Sequence, residues 1–298
     1  RVEPAAEHPE APVLYPLGGP DLISVLQFFP EASSYLLIGL EAPGHLPSPE
    51  DFSADALAQD TGPHRLRIVV VSDGSDGQAS FVDHGYFVRN ELDKDLSGGQ
   101  FDGVLPILLI CLVRAGQVPV SLQYVTIDPE TYGITPLPPS TESAQAVAIH
   151  FVPRDKHPEE NPEALADGTE GEPQKVKVQA VYYFAQDLSN NSLLSDEPFS
   201  RLIQRQERVN TYMKSAEYLL HTEDFSSFRK LLLKKTYSLL QDDSGSPIRF
   251  LTSDTWDVKL YGSYSSVLAA YSNWLQKDLV AAYAKGKNVE PLDFRIGY

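Results

Sequence analysis

Two adjacent carboxylates in the segment LLQDDSGSP, Asp242 and Asp243, are the side chains of this 298-residue chain best suited to acid–base chemistry. Paired carboxylates can act as general acid and general base when burial separates their pKa values. Side chains that are neighbours in sequence usually point in different directions, and the segment also fits a helix end. In that interpretation, which we favour, Gly245 is the left-handed residue and Pro247 stops the helix. Asp242 and Asp243 remain candidate ligand-binding residues.

A second candidate site lies near the start of the chain, in LYPLGGPDLISVLQFFPEASSYLLIGLE. The pattern predicts a strand, a glycine turn, a helix and a second strand. Gly18 and Gly19 would permit positive φ and close approach of a ligand to the backbone. The helix start would attract an anion, but Asp21 already supplies a carboxylate there, either as N-cap or just after a Gly19 cap with Pro20 at the first position. This favours a cationic or hydroxyl-rich ligand over a bare phosphate.

Acidic residues follow the next two predicted strands. Glu41 comes at the end of SYLLIGLE, where an acid in dinucleotide-binding folds accepts hydrogen bonds from ribose hydroxyls. Asp73 follows the strand HRLRIVVV and would reach the same edge of a parallel sheet. Aspartate and glycine are also the residues that any sharp surface turn uses. The predicted crevice is therefore lined by Gly18, Gly19, Asp21, Glu41 and Asp73.

This opening segment resembles the first βαβ unit of Rossmann-like proteins, and among them the S-adenosylmethionine-dependent methyltransferases. In that family a glycine-rich turn follows the first strand and an acid after the second strand holds the ribose, and Gly18, Gly19 and Glu41 occupy the matching places. Pro16 stands where the family carries a further acid, and the third glycine is missing. The resemblance implies S-adenosylmethionine or a nucleotide as the cofactor. The alternative, which we favour, is a structural turn in a generic α/β fold without an identified cofactor.

Motifs for metal binding and nucleophilic chemistry are weak. DKDLSGG matches four positions of an EF-hand loop, but Val104 stands where the bidentate Glu belongs, so a polar turn is expected and no metal site is predicted. The histidines lack zinc-helix spacing. His84, beside an aspartate, could be a base, and His221 is expected to complement a helix dipole. Cys111 lies in an apolar run and is predicted to be a buried structural thiol.

Alternation of apolar strands with helical patterns predicts an α/β fold: a three-layer, Rossmann-like, mainly parallel sheet with an added β-hairpin and a helical C-terminal portion. The hairpin pairs AQAVAIHFVP with KVKVQAVYYFAQDL across an acidic, mobile loop at residues 155–174. A buried helix is expected from Val104 to Ala115, before the strand SLQYVTID. The C-terminal portion is expected to contain helices at residues 209–220, at residues 225–241 after a Thr222 or Asp224 cap, and at residues 269–285, with a strand at WDVKLYGSY.

A formal net charge of −17 argues against binding of nucleic acid or anionic lipid, which need a basic surface. No apolar run is long enough for a transmembrane helix. The polar start RVEPAAEHPEAP predicts a flexible tether over residues 1–12 and favours a mature, exported protein, periplasmic or extracellular. A single domain is expected over residues 13–298.

The set YPLGGPD, FFP, GLE, LLQDDSGSP and FRIGY resembles a family of uncharacterised bacterial proteins, several of which carry an export or lipoprotein signal. This resemblance implies one coherent domain and supplies no catalytic residue. We therefore expect an exported binding or assembly protein, whose partner is a protein or a small ligand. A small-ligand or cofactor-binding enzyme that uses the predicted crevice is the alternative. The sequence does not specify an oligomeric state.

Overall fold

The computed structural model describes residues 7–18, 21–46, 103–156, 177–195, 197–214, 218–265, 269–286 and 289–290. Their strands are β1 (Val13–Tyr15), β2 (Ser34–Gly39), β3 (Gln117–Ile127), β4 (Ile134–Pro136), β5 (Ala146–Pro153), β6 (Gln179–Ala185), β7 (Val209–Met213), β8 (Thr236–Gln241), β9 (Leu260–Tyr261) and β10 (Val289–Glu290). Their α-helices are α1 (Leu22–Phe28), α2 (Leu105–Arg114), α3 (Asn190–Ser195), α4 (Glu197–Arg205), α5 (Ser226–Lys235) and α6 (Lys277–Ala284).

Eight of these strands form one sheet in the order β4-β3-β5-β6-β2-β1-β7-β8. The five strands from β6 to β8 are parallel to one another. The three at the other end, β5, β3 and β4, join in antiparallel pairs. The predicted α/β class with a mainly parallel sheet is therefore confirmed.

Helices cover both faces of this sheet, because alternate strand residues enter two separate cores. Val13 and Tyr15 of β1 face the core that α1 and α2 cover, and Leu14 between them faces the core of α3, α4 and α5. All three residues of β1 are buried, as expected of a strand with both faces covered. The resulting three layers bring the carboxyl ends of β1, β2, β7 and β8 to one edge.

Two close backbone contacts join residues 42–44 to the start of α2. The amides of Val104 and Leu105 donate to the carbonyls of Ala42 and Pro43. Gly103 has φ 78°, and a Cβ there would lie 2.3 Å from the nitrogen of Gly44. Only glycine fits this position, which places α2 beside α1 on the same face.

The predicted helix at residues 209–220 is wrong, because residues 209–213 form the buried strand β7. All five are buried, and β7 lies between β1 and β8. The buried residues of β7 do not alternate between apolar and polar, because Asn210 and Thr211 are buried side by side, so its apolar residues Val209, Tyr212 and Met213 fit a helical spacing by chance.

The predicted helix at residues 225–241 is half right. Helix α5 ends at Lys235, with two lysines in its last turn, and β8 begins at Thr236. Neither Thr222 nor Asp224 caps α5, whose N-cap is Phe225 without a side-chain bond. Apolar residues continue at three- and four-residue spacing from α5 into β8, so the sequence does not show where the helix ends.

The remaining predictions are confirmed in part. β5 and β6 form the expected antiparallel pair, and α2 and β3 lie where a helix and a strand were predicted. The final helix begins at Lys277, after a 3₁₀ segment at Ala269–Trp274, and the WDVKLYGSY strand shortens to β9. The strand before Asp73, the DKDLSGG motif, His84 and most of the acidic loop lie outside the described residues.

Candidate functional site

The edge formed by the carboxyl ends of β1, β2, β7 and β8 contains a topological switch point between β1 and β7. β1 leads through α1 to β2 on one side, whereas its other neighbour, β7, leads through α5 to β8 on the opposite side. In open α/β sheets, ligands bind in the crevice outside the strand carboxyl ends at such a point. The side chains at the ends of β1, β7 and β8 therefore form the candidate site.

The ring of Tyr15, the last residue of β1, is fully buried and packs on Gly18. A Cβ at Gly18 would lie 2.2 Å from the Cζ atom of Tyr15. The left-handed backbone of the turn falls on Leu17, with φ 62°, and not on Gly18. Gly18 is thus needed for the close approach of a tyrosine ring, and Gly19 lies outside the described residues.

The hydroxyl of Tyr15 joins β1, α1 and β7. It is shared between Oδ2 of Asp21, at 3.1 Å, and the carbonyl of Lys214, at 3.3 Å. Lys214 follows β7, and its Nζ lies 3.5 Å from the same Oδ2. Asp21 is the N-cap residue of α1, as one of the two predicted caps, and its Oδ1 accepts a hydrogen bond from Ser24.

Burial keeps the tyrosines at this edge neutral. It is the main cause that raises the pKa of Tyr15, and the negative charge of Asp21 is the next. Burial and then Asp21 likewise raise the pKa of Tyr212, whose ring packs edge-on against Tyr15 at 4.8 Å. Asp242 raises both pKa values as well, and its amide donates to the carbonyl of Met213, the residue before Lys214.

Glu41 lies in the protein interior. β2 ends at Gly39, two residues earlier, and Glu41 is 4% exposed. Its Oε2 accepts from the amide of Leu40, and its carbonyl accepts a 2.9 Å bond from the hydroxyl of Tyr183. Burial and the charge of Glu41 together hold the pKa of Tyr183 well above its usual range. Tyr183 belongs to β6, so this bond holds the backbone of Glu41 against that strand.

Asp242 and Asp243 follow β8, so the interpretation of this segment as a helix end is wrong. Oδ1 of Asp242 accepts from both the amide and the hydroxyl of Ser244, and this side-chain turn shapes the loop. Oδ2 of Asp243 accepts a 2.7 Å bond from Tyr218. Their bonds go to different partners, as expected of sequence neighbours.

The environment of Asp242 raises the pKa of its carboxyl group. The residue keeps solvent-exposed surface, but its carboxyl lies among enough protein atoms that desolvation raises its pKa to about 6, against opposing bonds from Ser244. The positive charge of Lys214 also opposes the rise. A carboxylic acid that titrates near neutrality beside a lysine is the arrangement that acid–base chemistry or a charged ligand would use.

The sequence analysis missed Tyr15, Lys214 and Tyr218. Tyr218 has left-handed backbone, with φ 55°, and its ring stacks on Trp274 at a centroid distance of 6.0 Å. Lys214 and Tyr218 were hidden by the mistaken helix. The signal for Tyr15 was available, because a tyrosine that ends a buried strand must satisfy its hydroxyl.

His221 is not the cation that was expected at a helix end. It ends the 3₁₀ turn Leu219–His221 and contacts the rings of Tyr218 and Trp274. Desolvation, and then the positive charge of Arg249, lower its pKa to about 4. The imidazole is therefore neutral near pH 7.

Cys111 is a buried structural thiol, as predicted, and burial raises its pKa. The described residues contain no group of three or more His, Cys, Asp or Glu side chains that could hold a metal. Asp73 lies outside them, so its relation to the site is not described. Among the helices that the structure describes, none combines the length and apolar character that crossing a membrane requires.

An open depression of about 550 Å³ lies at the opposite edge of the sheet. Residues before β1 and β7 line it, together with Tyr237 at the start of β8. Residues 8–12, within the predicted tether, hydrogen-bond here: Asn210 donates to the carbonyls of His8 and Pro12. This depression is separate from the switch point.

Comparison of the chain with protein-family models, with curated proteins and with solved structures gave no match in any of the three.

Proposed function

We propose that this protein is a binding or assembly protein with a Rossmann-like layout, in which the usual cofactor crevice has become part of the core. The observation that carries this proposal is the packing of the Tyr15 ring on Gly18, with its hydroxyl bonded to Asp21 and to the carbonyl of Lys214. Two features support the Rossmann-like layout: the β1-α1-β2 unit with parallel neighbouring strands, and helices on both faces.

A dinucleotide or S-adenosylmethionine site needs an approachable glycine turn and an acid that faces the ribose. In this chain, a tyrosine ring already contacts the glycine. The acid, Glu41, is buried, and its Oε2 accepts a hydrogen bond from the amide of Leu40. Both departures favour a site closed by protein atoms, and the net charge of −17 favours a protein partner over nucleic acid or anionic lipid.

Titration calorimetry of the purified protein with S-adenosylmethionine, ATP and NAD tests the proposal. We expect no saturable heat from any of the three. Native mass spectrometry of protein purified without added ligand should also give the mass of the chain alone. Saturable binding that Lys214→Ala abolishes would overturn the proposal. Lys177→Ala is the matched control, since Lys177 forms a comparable exposed ion pair with Glu10 at 3.2 Å, away from the site.

A small-ligand enzyme is the second candidate function, and one observation favours it. Asp242, with its pKa raised to about 6, shares the switch point with Lys214 and Asp21. The carboxyl group of Asp242, with Lys214 beside it, could exchange a proton with a hydroxyl-rich ligand near neutral pH. The same calorimetry distinguishes the two functions. The affinity of a ligand for this enzyme would change with pH around 6, and Asp242→Asn would remove that change.

A further inference from the structure

We propose that β8 pairs in antiparallel fashion with the β8 of a second copy of this chain, which would continue the sheet across a two-fold axis. This inference names the partner in the proposed assembly role and rests on that function. Its starting observation is the sheet order, in which β8 is the terminal strand. Within the described residues, β7 is the strand with which β8 pairs.

The two edge strands of the sheet, β4 and β8, differ in the features that prevent pairing with a further strand. β4, at the far end, has three residues and finishes with Pro136, which cannot donate to a ladder. β8 has six residues, Thr236–Gln241, with neither proline nor charge. Natural proteins usually protect a sheet edge by short length, proline or charge, and β8 has none of these devices.

Charge makes the occupant of this edge a second copy. Lys234 and Lys235 directly precede the strand, and Asp242 and Asp243 directly follow it. Antiparallel pairing of two identical strands brings the lysine end of each to the aspartate end of the other. The lysines end α5 and the aspartates follow β8, so opposite charges attract at both ends of an antiparallel pair, whereas parallel pairing would set like charges together. Of the two lysines Lys234 is exposed, and of the two aspartates Asp242 is exposed.

Side chains along the strand fit the same pairing. Tyr237 is 41% exposed, and Leu239 and Leu240 are each partly buried. Aromatic and aliphatic side chains across an antiparallel pair gain from mutual burial. The strand thus offers apolar contacts in its middle and complementary charges at its ends.

Sedimentation equilibrium of the full chain tests this proposal, with dimer as the expected species. Lys234→Glu and Asp242→Lys should each weaken dimerisation by about ten-fold, because each replaces two symmetry-related attractions by repulsions. The double variant Lys234→Glu/Asp242→Lys should restore it. Lys156→Glu makes the same charge change at an exposed position after β5 and should leave the dimer unchanged.

Amide hydrogen exchange provides a second measurement should a variant fail to fold. In the wild type, residues 237–241 should become more protected as concentration rises through the dissociation constant. A monomer at all concentrations would overturn the inference, and so would a dimer indifferent to both charge reversals. If calorimetry shows cofactor binding and the charge reversals still weaken a dimer, the proposed function is wrong and the β8 interface is supported.

Discussion

The hydroxyl of Tyr15 donates to Oδ2 of Asp21 at 3.1 Å, which ties the last residue of β1 to the N-cap of α1. In a cofactor-binding fold this turn would face a ligand, and here it faces a tyrosine. The ring reaches Asp21 by passing over Gly18, so the glycine, the ring and the carboxylate act as one packed unit.

Replacement of Gly18 by alanine should destabilise the protein. The new Cβ would lie 2.2 Å from Cζ of Tyr15, and overpacking of this kind costs about 1–3 kcal/mol. Urea unfolding measures the loss. Gly116→Ala is the control, because a Cβ at Gly116 meets open space; unlike Gly18, Gly116 has positive φ, at 74°, so backbone strain of about 1 kcal/mol is the loss expected there.

The origin of that loss can be checked with a second substitution. In a Tyr15→Ala background, Gly18→Ala should cost much less than in the wild type, since the two residues are in contact and their effects couple. Equal losses in the two backgrounds would contradict the packing of Tyr15 on Gly18.

Buried tyrosines should resist ionisation until the fold is lost. Burial raises the pKa of Tyr15, Tyr35, Tyr183 and Tyr212 above the ordinary value of 10.0. The folded state therefore holds more protons than the unfolded chain above pH 10, and stability falls as pH rises from there.

Phenolate absorbance during alkaline titration measures this effect. Part of the signal from the 15 tyrosines should appear only together with the loss of circular dichroism. Complete, reversible titration of an intact fold would count against the buried hydroxyls.

His221 and Asp242 should give opposite pH dependences of stability. The pKa of His221 falls from 6.5 to about 4 on folding, so its contribution is present above pH 6.5 and is lost as pH drops toward 4. The pKa of Asp242 rises from 3.8 to about 6, so the folded state binds the extra proton and gains stability as pH falls through 6. The two effects partly cancel in the wild type.

Single variants separate these contributions. His221→Phe should make the protein more stable at pH 5 than at pH 7, relative to wild type, and Asp242→Asn should do the reverse. Urea unfolding at the two pH values is the measurement. Parallel pH profiles for both variants would mean that neither group has a shifted pKa.

Replacement of the buried Arg229 should lower the free energy of unfolding substantially. Its Nη1 donates to the carbonyls of Leu220 and Thr222, at 2.6 and 3.0 Å, and its guanidinium lies 4.2 Å from the ring of Phe250. Arg229→Met should cost about 2–4 kcal/mol, because both carbonyls lose a charged donor. Arg249 covers the same ring at 4.8 Å but is exposed, so Arg249→Met should change stability by about 0.5 kcal/mol or less. Thermal unfolding of the two variants gives the comparison.

Sequence patterns by themselves determined much of the sheet. The unit from β1 to β2, the helix α2 and the antiparallel pair of β5 and β6 were each predicted, because their periods and turn residues are unambiguous. The burial of Cys111 followed from its apolar neighbours. These features depend on local spacing, which a sequence displays directly.

Tertiary structure decided the rest. β7 was mistaken for a helix because a central strand is buried on both faces and loses its alternation. Its position between β1 and β8 brings Lys214 to Tyr15 across 199 residues of chain, a contact that no local pattern encodes. Glu41 was placed correctly near a strand end, but its burial depended on tertiary structure, in which its backbone carbonyl bonds Tyr183 of β6. Spacing fixes which residues reach an edge, whereas packing between distant strands decides whether they face a ligand or one another.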